Sequence, residues 1–167
     1  MQESLKISGW IQWKLYDSDW NLKAEAEGPN ILTNVGAQYY AGRAALSSSL
    51  PPQVTGFRLG TGTTSPAKTG PGAAIVNYLP GSNKAPDPGY PSVANGIVTW
   101  QRTFGAGEGT SLNPITEAVL NTDNIGNDNA TTATAANTIA RALISPSVPN
   151  KAASDILVLT WTHTISG

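Results

Sequence analysis

The last stretch of the chain constrains its fold most. Residues 155–165 read Asp-Ile-Leu-Val-Leu-Thr-Trp-Thr-His-Thr-Ile, and nearly all of them are β-branched, aromatic or apolar. In an extended chain Leu157, Leu159 and Trp161 fall on one face, and three threonines fall on the other. Such a run suits a pleated surface that is largely covered. The pattern predicts a central strand of a β-sheet.

Shorter alternating runs predict that the rest of the chain supplies the other strands. These strands are expected at residues 5–15, 20–26, 54–59, 96–106, 115–120 and 137–144. Gly28 and Pro29 predict the end of the second strand, and residues 145–150, which contain two prolines, predict a linker. We therefore predict a mainly β fold over residues 1–167, a single antiparallel β-sandwich or barrel-like domain with one short helix and long Pro/Gly-rich loops.

Residues 30–46 are the only good helix candidate. Asn30 or Thr33 can cap its start. Gly36 and Gly42 each weaken a helix, so we expect both to be there for close packing against the sheet.

Two loop segments stand out by composition. Residues 66–92 carry repeated Pro and Gly around one apolar island, and residues 121–134 are rich in Asn, Asp, Gly and Thr. Loops of this length are either flexible or ordered by a partner. We expect them to be arms that reach a neighbouring subunit.

The composition excludes several classes of function. Charged residues are only 13% of the chain and the net charge is −1, without a basic block, so no nucleic-acid partner is expected. The absence of cysteine excludes disulfides and thiolate metal sites. The first residues lack the apolar region of a signal peptide, and no apolar run approaches the roughly 20 residues of a membrane helix. A sparsely charged chain favours a subunit of an assembly.

Five aromatic residues are candidate interface or ligand-stacking residues: Trp10, Tyr16, Trp20, Tyr78 and Tyr90. The alternation of the first strand places Trp10 and Tyr16 on its outer face, and Trp20 follows the turn. Exposed aromatic rings can stack on sugars, but aromatic residues are also enriched at subunit interfaces. We favour the interface.

No constellation of residues predicts catalysis. His163 is the only histidine, so we expect a hydrogen-bonded structural role. Glu108 and Glu117 could be imagined as a hydrolase pair, yet Glu117 lies in a predicted strand, where pairing with Arg102 or Arg141 is the better interpretation. The chain is expected to be no enzyme and to need no cofactor.

Three short patterns have structural interpretations. Gly60-Thr-Gly62 and the run 105–109 lack the Lys-Ser/Thr and the helix of a phosphate loop, so they predict turns with positive φ. The segments 17–21 and 121–126 depart from a calcium loop and predict a hairpin turn and an exposed loop. Asn129 matches a glycosylation acceptor by pattern, and we expect it to be unused.

Asn30-Ile-Leu-Thr-Asn-Val-Gly36 is followed along the chain by the glycine-rich residues 60–66. The first segment resembles the N-x-(I/L)-T-x-x-G segment of small virion proteins of tailed bacteriophages, and the second resembles their G-T-G-x-T-x-P stretch. Residues 115–119 resemble their I-T-E-A-G strand, with Val119 at the usual glycine. Residues 142–146, Lys151 and the final strand resemble the end of these proteins. The series covers about two-thirds of the chain.

The resemblance implies a structural subunit of the virion, made in the host cytoplasm. The first expectation is a capsid decoration (cement) protein that forms a homo-oligomer, with a trimer favoured, and contacts the major capsid protein or other virion proteins. The alternatives are a tail, baseplate or fibre-associated subunit, or a carbohydrate-binding β-sandwich. The resemblance carries over no catalytic residues.

Overall fold

The computed structural model describes residues 5–126, 128 and 134–167. In this part of the chain there are eight strands and one α-helix, in the order β1 (Lys6–Tyr16), β2 (Leu22–Leu32), α1 (Asn34–Ala45), β3 (Gly56–Gly60), β4 (Ser92–Ala94), β5 (Ile97–Phe104), β6 (Ile115–Asn121), β7 (Thr138–Val148) and β8 (Ile156–Ser166). The helix of this part of the chain is too short to span a membrane.

The strands form one antiparallel sheet that curls into a half-barrel. The strand order is β3-β6-β7-β2-β1-β8-β5-β4. The prediction of a mainly β, barrel-like domain is confirmed, with a single curled sheet in place of two stacked sheets. The core lies inside the curl and contains the largest apolar side chains of both halves of the sheet, including Trp13, Phe57, Trp100, Phe104, Leu120 and Trp161.

The final strand lies inside the sheet, as its sequence predicts. β8 pairs with β1 along its whole length and with β5 over eight residues, so both of its edges are hydrogen-bonded. Leu157, Leu159 and Trp161 are fully buried in the core. Pairing on both edges opposes fraying of a strand this close to the end of the described residues.

Two strands continue past prolines that predict their ends, so those two predictions are wrong. β2 runs through Gly28 and Pro29 to Leu32. Its pairing with β7 is confined to Ile31 and Leu32, so at Pro29 one edge of β2 has no neighbouring strand and can accommodate a residue without an N–H. β7 runs through Pro146, which lies where the β6–β7 register is irregular.

Helix α1 begins directly after Thr33, which is one of the two predicted caps. The Thr33 side chain accepts a hydrogen bond from the Gly36 N–H at 3.0 Å, so Thr33, and not Asn30, is the cap. A Cβ on Gly36 would lie 2.1 Å from the Ile139 carbonyl oxygen, which confirms close packing against the sheet. For Gly42 that prediction is wrong, because its close neighbour is Pro51 in the loop after the helix.

The Pro/Gly-rich segment 66–92 packs against its own domain over much of its length. Residues 77–84 follow the free edge of β3 through bridges at Tyr78 and Lys84, and Leu79 N–H donates to the Leu59 carbonyl at 2.9 Å. Covering an edge strand in this way blocks uncontrolled strand pairing. Contact of this segment with another subunit stays a prediction, and part of the second expected arm, residues 127 and 129–133, lies outside the described residues.

Gly36→Ala should destabilise the protein by about 1–3 kcal/mol, because the added methyl group meets a backbone carbonyl that cannot move without shifting β7. Urea unfolding measures this change. Gly28→Ala is the matched control, since a Cβ there meets nothing within 4 Å and its effect should be small. Equal losses for the two variants would contradict the packing role of Gly36.

Candidate binding surfaces

The side of the sheet opposite the core carries few charges along β1, β8 and β5, where Lys6 and Lys14 of β1 are the charged residues. We call the outward side chains of β1, β8 and β5 the outer face. The register places Thr162 between Trp10 and Thr99, and Thr160 between Gln12 and Gln101. β8 and β5 contribute no charged residue to this face. The alternation of the sequence explains this absence of charge, because charged residues of these two strands either lie on the core side or do not occur.

Three of the five candidate aromatic residues lie on the β1–β2 hairpin. Trp10 is 45% exposed on the outer face, beside Pro29 of β2. Tyr16 is half-buried and its ring centroid lies 5.4 Å from that of Trp20, which is 57% exposed. The sequence therefore correctly predicts that these three rings lie near the surface.

The other two aromatic residues lie elsewhere. Tyr78 is 9% exposed, its hydroxyl bonds to Asp128, and the Arg58 guanidinium lies 5.7 Å from its ring centroid. Burial raises the pKa of Tyr78 to about 12. Its ring therefore belongs to the interior, between segment 66–92 and the sheet. Tyr90 is half-buried next to the cis bond to Pro91, just before β4, which lies three strands away from β1 in the sheet.

The turn at residues 17–21 is the predicted hairpin turn. The Asp17 carboxylate accepts hydrogen bonds from the backbone N–H groups of Asp19 and Asn21, each at 2.9 Å, and from the Asn21 side chain. The bond from the Asn21 side chain is the main reason that the pKa of Asp17 is lowered. These local bonds hold the turn in one conformation.

A groove at the other end of the hairpin has no counterpart in the sequence-based predictions. β2 leaves β1 after Asn30, so residues 6–8 of β1 pair with β8 alone and their second edge is open. Between this edge and α1 lies a groove of about 1000 Å³. Its lining is mostly apolar, from Leu5, Ile7, Trp10, Pro29, Ile31, Leu32, Ala37, Tyr40, Ala41, Ala44 and Ile165. Lys6 and Lys68 are the charged residues that line it.

Asn30 forms part of the groove wall. A Cβ on Gly9 would lie 1.9 Å from Asn30 Oδ1, so the Asn30 side chain occupies the space that a side chain at position 9 would fill. The amide oxygen and nitrogen of Asn30 are buried and have no hydrogen-bond partner in the described structure. Buried polar atoms of this kind are costly unless something pairs with them. The glycine in the alternation of β1 was the one signal of this feature in the sequence.

His163 connects the sheet to the helix that forms the other wall. Trp161 Nε1 donates to His163 Nε2 at 3.1 Å, and because an indole only donates, we assign the histidine proton to Nδ1. Nδ1 then donates to the Tyr40 hydroxyl at 2.7 Å. Burial lowers the pKa of His163 to about 4. The hydrogen-bonded structural histidine expected from the sequence is present.

Glu117 is paired as the sequence predicts. Its carboxylate lies 2.7 Å from Arg141 Nη2, and both side chains are fully buried. Glu117 also accepts hydrogen bonds from the backbone N–H groups of Gly62 at 3.0 Å and Asn77 at 2.8 Å. This carboxylate therefore fastens two loops to β6. Glu108 is held by Arg102, at 2.5 Å.

The glycines of the two runs are required for different physical reasons. Gly107 and Gly109 have positive φ, as predicted for turns. Gly105 does not, so the prediction of positive φ is wrong for it. The prediction is also wrong for Gly60 and Gly62. A Cβ on either would lie within 2.6 Å of the Glu117 carboxylate oxygen, and glycine is required there because the buried carboxylate approaches the backbone closely.

Another buried charge, that of Lys151, holds loops at the ends of the strands together. The Lys151 ammonium is fully buried and donates to the carbonyl oxygens of Gly105 at 3.0 Å and Asp155 at 2.7 Å. Burial lowers the pKa of Lys151. Because Ser111 N–H donates to the Lys151 carbonyl, this lysine joins the loop before β6 to the loop before β8.

Comparisons of the chain with protein-family models, with curated proteins and with solved structures found no match.

Glu117→Gln should lower the free energy of unfolding by about 3–5 kcal/mol, because it leaves the Arg141 cation buried without its counter-charge. The matched control is Glu25→Gln, which removes an exposed pair with Lys14 at 3.4 Å and should cost less than about 1 kcal/mol. Chemical denaturation measures both. A similar small cost for the two variants would show that the buried pair is not a major source of stability.

Stability should fall as the pH is lowered from 7 towards 4. Unfolded His163, with a pKa of 6.5, takes up a proton in this range, whereas the folded protein keeps the ring neutral down to about pH 4. The unfolded state therefore binds more protons, and the full loss corresponds to about 3 kcal/mol. Denaturation curves between pH 7 and 5 measure the slope. His163→Gln should flatten it, and an unchanged slope would assign the pH dependence to other groups.

Proposed function

We propose that the chain is a non-enzymatic structural subunit of a tailed-bacteriophage virion, in the first place a capsid decoration (cement) protein. The observation that carries this proposal is the outer face, a broad sheet surface on which β8 and β5 carry no charge and Trp10 of β1 is exposed. The centres of protein–protein interfaces are depleted in charged residues and enriched in aromatic ones. The series of motifs between residues 30 and 165 resembles small virion proteins, and this resemblance is our reason for proposing a virion as the assembly.

Rigidity of the body supports the same function. A cement protein transmits load between neighbouring capsomers, so its contacts must be presented by a body that does not deform. Here the buried Glu117–Arg141 pair, the Lys151 ammonium and the His163–Tyr40 bond tie loops and helix to one sheet. The proposed partners are further copies of the chain, with a trimer expected, and the major capsid protein or other virion proteins.

A tail, baseplate or fibre-associated subunit is the second candidate, because the motifs that resemble virion proteins do not distinguish tail from capsid. Immunogold labelling of intact particles separates the two placements: label spread over the head supports decoration, and label confined to the tail supports the alternative. Particles without label at either place would overturn the proposed function. The native mass of the purified protein tests the trimer.

Carbohydrate binding is kept as a third candidate because of one observation. Trp10 is exposed on a face where Thr162 and Thr99 follow it on the next two strands, with Gln12 nearby, and rings beside hydroxyl and amide groups are the usual elements of sugar recognition. A glycan array tests it with the wild-type protein and with Trp10→Ala. Binding that survives the substitution, or no binding, would exclude this site.

Thr162→Lys should prevent the protein from joining the particle while leaving it folded, because it places a charge at the centre of the outer face. Co-sedimentation with particles that lack the chain measures incorporation, and we expect a loss of at least about tenfold. Ser48→Lys adds the same charge at an exposed loop position away from the face and should incorporate normally. Full incorporation of Thr162→Lys would show that the outer face is not the contact surface.

A further inference from the structure

The turn between β1 and β2 presents a rigid apolar protrusion, which we call the hairpin tip and define as residues 17–22. Trp20 is 57% exposed and Leu22 is 50% exposed. The ring of Tyr16 packs against Trp20, and the Asp17 carboxylate locks the turn from within. Large apolar side chains that are held in place while exposed to water are typical of binding anchors.

The hairpin tip and the groove lie at opposite ends of the same strand. The groove follows residues 5–10 at the start of β1, and the tip follows Tyr16 at its end. The ten residue steps from Lys6 to Tyr16 span about 33 Å at a rise of about 3.3 Å per residue. The tip therefore cannot reach the groove of its own chain.

The two surfaces complement one another in shape and chemistry. The groove is a concave apolar surface of about 1000 Å³, large enough for an indole and a leucine side chain together. Small alanines at positions 37, 41 and 44 of α1 leave this space open.

Charge complementarity specifies the partner. The charged residues that line the groove are both cations, Lys6 and Lys68. The hairpin tip carries two carboxylates, Asp17 and Asp19, beside Trp20. Opposite charges around an apolar contact set its orientation and favour it over other partners.

We infer that the groove is filled by the hairpin tip of a second copy of this chain. The contact is heterologous, because each copy uses its groove for one neighbour and its tip for another. Repetition of such a contact gives a closed ring or an open filament, according to the rotation between copies. This inference goes beyond the proposed function and does not depend on it, because it concerns self-assembly in any setting.

Single cysteines test this contact directly, because the chain has none of its own. Asp19→Cys labels the tip, and Ala41→Cys labels the groove. Under mild oxidation, a mixture of the two variants should give at least about tenfold more disulfide-linked dimer than either variant alone. Ser48→Cys, which is exposed outside the groove, replaces Ala41→Cys as the collision control and should give only the background yield.

A charge swap provides an independent readout by sedimentation velocity. Asp19→Lys should weaken self-association at least about tenfold, and mixing it with Lys6→Glu should restore association between the two variants. Thermal unfolding of each variant verifies that it is folded. The inference is overturned if the wild-type protein stays monomeric at all concentrations and the mixed cysteines do not cross-link. It is equally overturned if Ala41→Cys cross-links mainly to itself, which would indicate a symmetric dimer through the open edge of β1.

Failure of this inference and failure of the proposed function are distinguishable. Immunogold labelling of particles does not depend on the hairpin tip, and cross-linking of the purified protein does not depend on any particle. Binding of a small apolar molecule in the groove would appear as a wild-type monomer without mixed cross-links, which also overturns the inference.

Discussion

The architecture depends on the way in which β2 is shared between two neighbours. It pairs with β1 from Leu22 to Asn30 and then with β7 through Ile31 and Leu32 alone. These last two residues join the half of the sheet that contains β8 to the half that contains β6 and β3. β1 and β7 lie on opposite edges of β2, and after Asn30 β2 leaves β1 and pairs with β7, so the start of β1 is unpaired on that edge. The groove is therefore a direct consequence of the strand switch that holds the sheet together.

Several of the few charged residues of the chain are buried inside the molecule. Only 21 residues are Asp, Glu, Lys or Arg, yet Arg58, Glu117, Arg141 and Lys151 are fully buried. A buried charge is tolerated only with partners, so each of these side chains requires particular loops to be in place. Glu117 alone connects β6, β7 and two loops. On the surface that we propose for assembly, β8 and β5 carry no charge, and Lys6 and Lys14 of β1 are the charged residues.

The outer face depends on different parts of the fold from the groove and the hairpin tip. The outer face needs only the alternation of β1, β8 and β5, and it is broad and fairly featureless. The groove and the hairpin tip need the turn held by Asp17 and the helix held by the His163–Tyr40 bond. A broad face suits contact with a shell, whereas a tip and a groove suit contact between copies. The two proposals therefore assign separate surfaces to separate partners.

What the sequence determined by itself is local. The alternation in β8 and β1, a helix start capped by Asn30 or Thr33, and an arginine partner for Glu117 follow from spacing and from the cost of burying a charge. The tertiary structure alone decided that β2 passes Pro29, that Gly60 and Gly62 serve a carboxylate from β6, and that a groove opens beside β1. These features arise where segments that are distant in sequence meet. The alternation of a strand indicates which residues face the core, but it carries no signal of which distant segment lies beside the strand.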